Sequence, residues 1–160
     1  MTLFLKRDTS ADDPLFVICD MSGNEKYRVN RQSDKAFLSK RLAIADETGR
    51  TVAKIRRLPI AGSSTYALRI GRRRVTFVNI ITQKGIYSHF YGSNYHIRGA
   101  IAAKNFDVID VDKTLVLSHR KHSGYCELDI ADSSEELFCA AVSVCANMMN
   151  IIEKTALQAV

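Results

Sequence analysis

Between Leu137 and Met149 the chain is apolar around the whole helical wheel, with only Ser143 and Asn147 interrupting Leu, Phe, Cys, Ala, Val and Met. A helix without a polar face must be surrounded, either by lipid or by the rest of its own protein. The run is 13 residues, shorter than the roughly 20 needed to cross a bilayer, and a run of that length is more often a buried core helix. Asp132-Ser-Ser-Glu135-Glu136 supplies an N-cap candidate, a glutamate three residues on and acidic charge in the first turn. Small residues (Cys139, Ala140, Ala141, Ser143, Cys145, Ala146) keep the segment thin, as a narrow bore would require. One helix is therefore expected near residues 133–154, about 33 Å long at about 1.5 Å per residue, enough to thread a small barrel.

The residues that surround this helix must come from the preceding chain, which reads at a period of two. Phe16-Val-Ile-Cys-Asp, Lys26-Tyr-Arg-Val, Leu42-Ala-Ile-Ala, Val52-Ala-Lys-Ile-Arg, Thr65-Tyr-Ala-Leu-Arg-Ile and Val75-Thr-Phe-Val are strand-like. Tyr95-His-Ile-Arg, Phe106-Asp-Val-Ile-Asp, Thr114-Leu-Val-Leu-Ser and Tyr125-Cys-Glu-Leu-Asp-Ile continue the series. Tight-turn chemistry separates them at Ser22-Gly-Asn, Glu47-Thr-Gly, Ile70-Gly-Arg and Asp110-Val-Asp-Lys. Ten or more short strands at hairpin spacing predict an antiparallel meander, closed or nearly closed to protect its edges. A hairpin unit also repeats. Phe16-x-Ile18-x-Asp20-x-x-Gly23-x-x-x-Tyr27-x-Val29 recurs 26 residues later as Leu42-x-Ile44-x-Asp46-x-x-Gly49-x-x-x-Ala53-x-Ile55. A third, degenerate copy starts at Phe106-x-Val108-x-Asp110 and resumes at Leu115-x-Leu117 with the turn shortened. Recurrence at one turn position identifies the aspartates as turn caps, not as a pair of catalytic carboxylates.

At 160 residues the chain has the size of one domain, taken as 1–160. A formal charge of +6 favours an anionic partner such as nucleic acid, phosphorylated lipid or acidic protein. Cys19, Cys126, Cys139 and Cys145 include no C-x-x-C pair and read as small buried hydrophobes in a reducing compartment. The apolar stretch at Met1 is too short for a signal peptide, so the expected location is cytoplasmic, with peripheral membrane contact as the further expectation.

The sequence has no G-x-S-x-G, P-loop, G-x-G-x-x-G or H-E-x-x-H motif, and is read as a non-enzyme without a cofactor or metal. His119, His122 and Cys126 lie close in sequence but flank Arg120 and Lys121 in what reads as a hairpin. His89 and His96 lie in an aromatic stretch without an adjacent acid. The candidate binding residues are basic. Arg72, Arg73 and Arg74 follow Gly71 at a hairpin tip, and Lys54, Arg56 and Arg57 end the second repeat. Alternation puts Lys54 and Arg56 outward, with Arg57 near the strand end. Clustered guanidinium groups suit phosphate, where bidentate hydrogen bonds add to charge. The competing reading is that these cations only solubilise an outer barrel face and discourage edge pairing.

The ordered combination resembles the LURP-one-related family of the tubby C-terminal-like superfamily, especially its small bacterial members. The stretches that carry the likeness are Leu42-Ala-Ile-Ala-Asp-Glu-Thr-Gly-Arg-Thr-Val-Ala-Lys-Ile, Tyr66-Ala-Leu-Arg-Ile and Tyr95-His-Ile-Arg-Gly, followed by Tyr125-Cys-Glu-Leu-Asp-Ile and the helix from Ser134. The resemblance implies a mainly β fold, a closed twelve-stranded antiparallel barrel with the C-terminal helix through its centre. Relatives in the superfamily include the phosphoinositide-binding tubby domain and the phospholipid scramblases. No binding residue is carried over from them. Two functional expectations follow. One is a non-catalytic binding or scaffold module for anionic phospholipid headgroups at a membrane surface. The alternative is a protein-interaction or small apolar-ligand module. Nucleic acid ranks below both because no reading motif is present.

Overall fold

The computed structural model describes residues 1–8, 15–32 and 41–158, with side chains as far as Met149. The chain runs β1 (Thr2–Arg7), β2 (Phe16–Cys19), β3 (Glu25–Arg31), β4 (Arg41–Asp46), β5 (Thr51–Leu58) and β6 (Ser63–Ile70). It continues with β7 (Arg73–Thr82), β8 (Gly85–Tyr91), β9 (His96–Ala100), β10 (Asn105–Ile109), β11 (Leu115–Lys121) and β12 (Cys126–Ile130). A 3-10 turn (Ser133–Glu135) then leads into α1 (Glu136–Gln158). All twelve strands form one antiparallel sheet in the order β8-β7-β6-β5-β4-β3-β2-β1-β12-β11-β10-β9. Because β1 pairs with both β2 and β12, the sheet curls until its two ends, β8 and β9, meet in a nearly closed barrel.

The meander and the single C-terminal helix agree with the sequence expectation, as does the number of strands that the family resemblance implies. Two strands escaped the period-two reading. β1 hides Leu3 and Leu5 inside but alternates over only six residues, with Phe4 between them apolar as well. β8 turns Phe90 inward and Tyr87 and Tyr91 outward, so no polar alternation marks it.

α1 runs to Gln158, four residues past the expected Lys154. The side chains of Asn150 and beyond lie outside the described residues. Every residue from Phe138 to Met149 is buried, as the all-round apolar pattern requires. Asp132 caps the entry, its carboxylate accepting from the Ser134 amide at 2.9 Å and from the Ser134 hydroxyl at 2.7 Å. The four cysteines are free and buried. Burial pushes the Cys139 thiol up to about 12 and the Cys145 thiol well above its ordinary value, so both stay protonated and unreactive.

The hairpin repeat is real, and its third copy is complete, not shortened. Ile18 pairs with Tyr27, Ile44 with Ala53 and Val108 with Leu117, each followed by a bulge at the same place. In each turn the aspartate amide bonds the carbonyl four residues on, and its carbonyl accepts from the amide three residues on. The carboxylates of Asp20 and Asp46 also accept from Ser22 and Asn24, and from Thr48 and Arg50. In the third copy Lys113, at φ 66°, takes the left-handed position of Gly23 and Gly49. A side chain there costs about 1–2 kcal/mol, partly offset by the greater freedom of glycine in the unfolded chain. Lys113→Gly is therefore expected to stabilise the protein by up to about 1 kcal/mol, raising Tm by a few degrees. A lower Tm would contradict this account of the turn.

The third copy also places His119 where the others have Val29 and Ile55. The imidazole is fully buried and stacked on Phe106 at 4.6 Å. Its Nδ1 lies 2.8 Å from the Lys104 carbonyl and its Nε2 lies 2.8 Å from Ser143 Oγ of α1. A carbonyl only accepts, so Nδ1 carries the proton and the Ser143 hydroxyl donates to Nε2. This bond fixes the depth and rotation of α1 in the bore. Burial, with Lys104 and Arg120 nearby, lowers the His119 pKa to about 4 although the bond to the Lys104 carbonyl acts the other way. The folded state thus holds His119 neutral where the unfolded chain, with a pKa of about 6.5, takes up a proton. Stability is full above pH of about 6.5 and is lost as pH falls towards about 4, by on the order of 3 kcal/mol. Denaturant titrations across this window should show a steeper loss in the wild type than in His119→Val/Ser143→Ala. Equal slopes would mean that this histidine titrates freely.

Candidate anion-binding groove

Strand alternation decides which basic side chains can meet. On β5, Ala53 and Ile55 are buried against the helix, so Lys54 and Arg56 stand outward, as expected. The register aligns Lys54 with Arg69 of β6, and Arg69 with Arg74 of β7. One row further along, Arg41 of β4 faces Arg56, which faces Ala67, which faces Thr76. Together with Gln32 these residues line an outer-wall groove of about 450 Å³, where the short Ala67 and Thr76 leave the floor low. A second depression of about 230 Å³ shares Lys54 and Arg69 and continues to Gly71.

Among the described residues that line the main groove, five are cationic and none is acidic. Elsewhere several cations have partners, although Arg72, Lys84 and Lys113 stand exposed without an ion pair among the described residues. Lys26 pairs with Glu136, Arg28 with Glu25, and Arg98 and Arg120 both with Asp107. Lys54, Arg56, Arg69 and Arg74 make no ion pair among the described residues. Like charges directly opposite on neighbouring strands are destabilising. The groove thus carries an electrostatic load that a bound anion would relieve.

The remaining predicted residues lie elsewhere. Arg57 is in phase with Ala53 and Ile55, opposite Tyr66, and its Nε is buried without a hydrogen-bond partner among the described residues. Arg72 is exposed at the two-residue turn beyond the groove. Arg73 turns inward at the barrel mouth, donating from Nη1 to both Glu135 carboxylate oxygens at 2.8 and 3.1 Å. Its guanidinium also lies over the Phe138 and Tyr95 rings, 4.7 and 5.7 Å from their centroids. The arginine triplet is therefore not one cluster, because neighbouring residues of a strand face opposite ways. Arg69 was missed, although a two-residue loop at Gly71-Arg72 already places it beside Arg74. Arg41 requires the β4–β5 register, which a bulge obscures.

Gly92 fixes the border of the groove. At φ 84°, a Cβ there would come within 2.6 Å of the Arg74 carbonyl oxygen, so the β8–β9 connection presses directly on this backbone. The other histidine candidates disperse. His122 is exposed, 3.0 Å from Glu127 and stacked on Tyr125, while Cys126 points at Asn147 and His119 at Ser143. No group of three or more potential metal ligands occurs among the described residues.

The family model for LURP-one-related proteins matches residues 1–147, all twelve strands and the first half of α1. The chain belongs to the LURP-one-related family. No curated protein matches it. The X-ray structure of a protein from Arabidopsis thaliana is similar, with a TM-score of 0.59, 12% sequence identity and coverage of 92% of this chain and 91% of that one. At that identity the likeness is one of fold. Membership of the LURP-one-related family suggests a binding module.

In this LURP-one-related barrel the helix mouth is locked by side chains. Beside the Arg73–Glu135 pair, Glu136 receives Lys26 and the Tyr27 hydroxyl at 3.1 Å. Burial, with the Glu136 carboxylate beside it, pushes the Tyr27 pKa up, so its hydroxyl stays protonated and donates. Arg73→Ser should cost about 1–2 kcal/mol through the lost pair and ring contact, a figure held down because Arg73 stays one-third exposed. Arg72→Ser should stay within about 0.5 kcal/mol of the wild type. Thermal melts that rank the two variants equally would show that Arg73 does not lock the mouth.

Proposed function

We propose that this LURP-one-related protein is a non-catalytic binding module that recognises anionic phospholipid headgroups through the groove on β4–β7. The observation that carries this reading is the pair of aligned cationic rows, Lys54–Arg69–Arg74 and Arg41–Arg56, without a described carboxylate in their lining. Guanidinium groups offer forked donors that match phosphate oxygens. Arginine also stays charged at neutral pH, so such a lining holds an anion but takes no part in proton transfer. The groove opens on the outer wall, where a flat anionic surface can approach. Each cation near such a surface contributes about 1 kcal/mol. No helix among the described residues is long and apolar enough to cross a membrane. A small apolar ligand in the bore, the alternative reading, would compete with α1, whose side chains from Phe138 to Met149 occupy it.

Arg56→Ser/Arg69→Ser should weaken binding to phosphatidylserine-containing vesicles by roughly 30-fold, from about 1 kcal/mol per cation. Its Tm should be unchanged or higher, because three like-charge cross-strand contacts are relieved. Arg98→Ser/Arg120→Ser removes the same charge from the β9–β11 side and should bind almost normally. Equal losses in co-sedimentation for the two double variants would mean that only bulk charge matters, and the groove cations would revert to solubilising residues.

A further inference from the structure

The outer wall continues past the groove. The row that holds Arg56, Ala67 and Thr76 reaches Tyr91 of β8, and the outward pairs beyond it are Val78 with His89 and Ile80 with Tyr87. Tyr91, Tyr87 and Ile80 are 61%, 59% and 50% exposed. The Ile81 amide bonds the Gly62 carbonyl at 3.0 Å, which draws the β5–β6 connection and its exposed Ile60 to the same corner. The inward faces of β7 and β8 already supply Phe77 and Phe90 to the core, stacked at 4.5 Å. Beyond the groove these strands therefore carry large apolar or aromatic side chains on both faces, although Asn79 and Ser88 bond each other on the inner one.

We propose that the outward face of β7–β8 is an interfacial membrane anchor, with Ile80, Tyr87 and Tyr91 entering the headgroup boundary of the same anionic bilayer whose phosphates meet Lys54, Arg56, Arg69 and Arg74. The inference rests on the headgroup reading of the groove and adds the half of the contact that salt does not screen. Arg74 and Ile80 are six residues apart on one strand, roughly 20 Å, so the wall of β5–β8 lies flat on the surface. Charge complementarity selects the occupant, because the cationic rows adjoin the apolar corner and suit an anionic plane. A second copy would instead bring five more groove cations to the contact. Nucleic acid gains little from exposed isoleucines, and the Tyr91 ring is already engaged by His89, edge to face at 4.5 Å. Tyrosines at a membrane–water boundary and aliphatic side chains just below it are the usual chemistry of interfacial binding.

The chain has no tryptophan, so Tyr87→Trp gives the full-length protein a single emission reporter at the proposed contact. With phosphatidylcholine vesicles containing phosphatidylserine, the emission should shift to the blue and be quenched by brominated acyl chains. Ile80→Ser/Tyr91→Ser should lower vesicle affinity about tenfold while leaving its salt dependence unchanged. Co-sedimentation of the Tyr87→Trp protein without quenching would overturn the anchor and leave the groove reading standing. Failure of wild-type protein to bind these vesicles at low salt would overturn both. If Ile80→Ser/Tyr91→Ser binds vesicles normally but loses a dimer in sedimentation velocity, or loses affinity for single-stranded oligothymidylate, the face belongs to a second copy or to nucleic acid and the anchor is overturned.

Discussion

The structure depends on burying a helix that has no polar side. Once α1 occupies the bore, the inward positions of the strands close around it, and the inner face of the barrel is a core instead of a binding cavity. Most of the large buried residues lie on the wall and most of the small ones on the helix, with Phe138 at the mouth the exception. Phe77, Phe90, Tyr66 and Phe106 are buried on the strands while Cys139, Ala140, Ala141, Cys145 and Ala146 are buried on α1. This division leaves the outward positions free to vary, and the groove and the apolar corner both lie there.

A uniformly apolar helix in a uniformly apolar bore is free to slide and rotate, because hydrophobic burial is not directional. Polar contacts at two levels remove that freedom. At the mouth, Glu135 and Glu136 are held by Arg73, Lys26 and Tyr27. Two turns deeper, Ser143 bonds His119, and Asn147 donates to the Ser143 carbonyl at 2.8 Å while its oxygen faces Cys126. Buried polar pairs of this kind contribute more to a unique arrangement than to net stability. His119 sits where two other copies of the same hairpin carry Val29 and Ile55, so the departure from the repeat is what specifies the helix position.

The physical clarity of each signal decided how far the sequence could be read. Polar-out, apolar-in alternation marked ten strands, and the all-round apolar run marked the helix, because both patterns follow directly from burial. β8 was hidden by the very tyrosines that make its outer face unusual. The third hairpin was misaligned because Lys113 replaced the glycine that signals the turn. In the groove, Lys54 and Arg56 were legible as outward cations, and Arg74 only as one of a hairpin-tip triplet. The grouping was not, since Arg69 and Arg41 join them only through cross-strand register. Arg72 and Arg73 looked equivalent to Arg74 in a linear triplet, yet pleating sends three successive side chains to a turn, to the barrel mouth and to the outer wall.

That pleating also couples the groove to the core. Arg73 and Arg74 are consecutive, one gripping Glu135 of the helix entry and the other lining the groove. The β8–β9 connection presses on the carbonyl of Arg74 at Gly92, and three residues later Tyr95 packs on Phe138, which also meets Phe90. The seam between β8 and β9 is thus sealed by aromatic side chains and one ion pair in place of a continuous ladder. The groove and the helix entry are therefore built on one stretch of backbone, so a substitution that distorts Arg74 also misplaces the partner of Glu135.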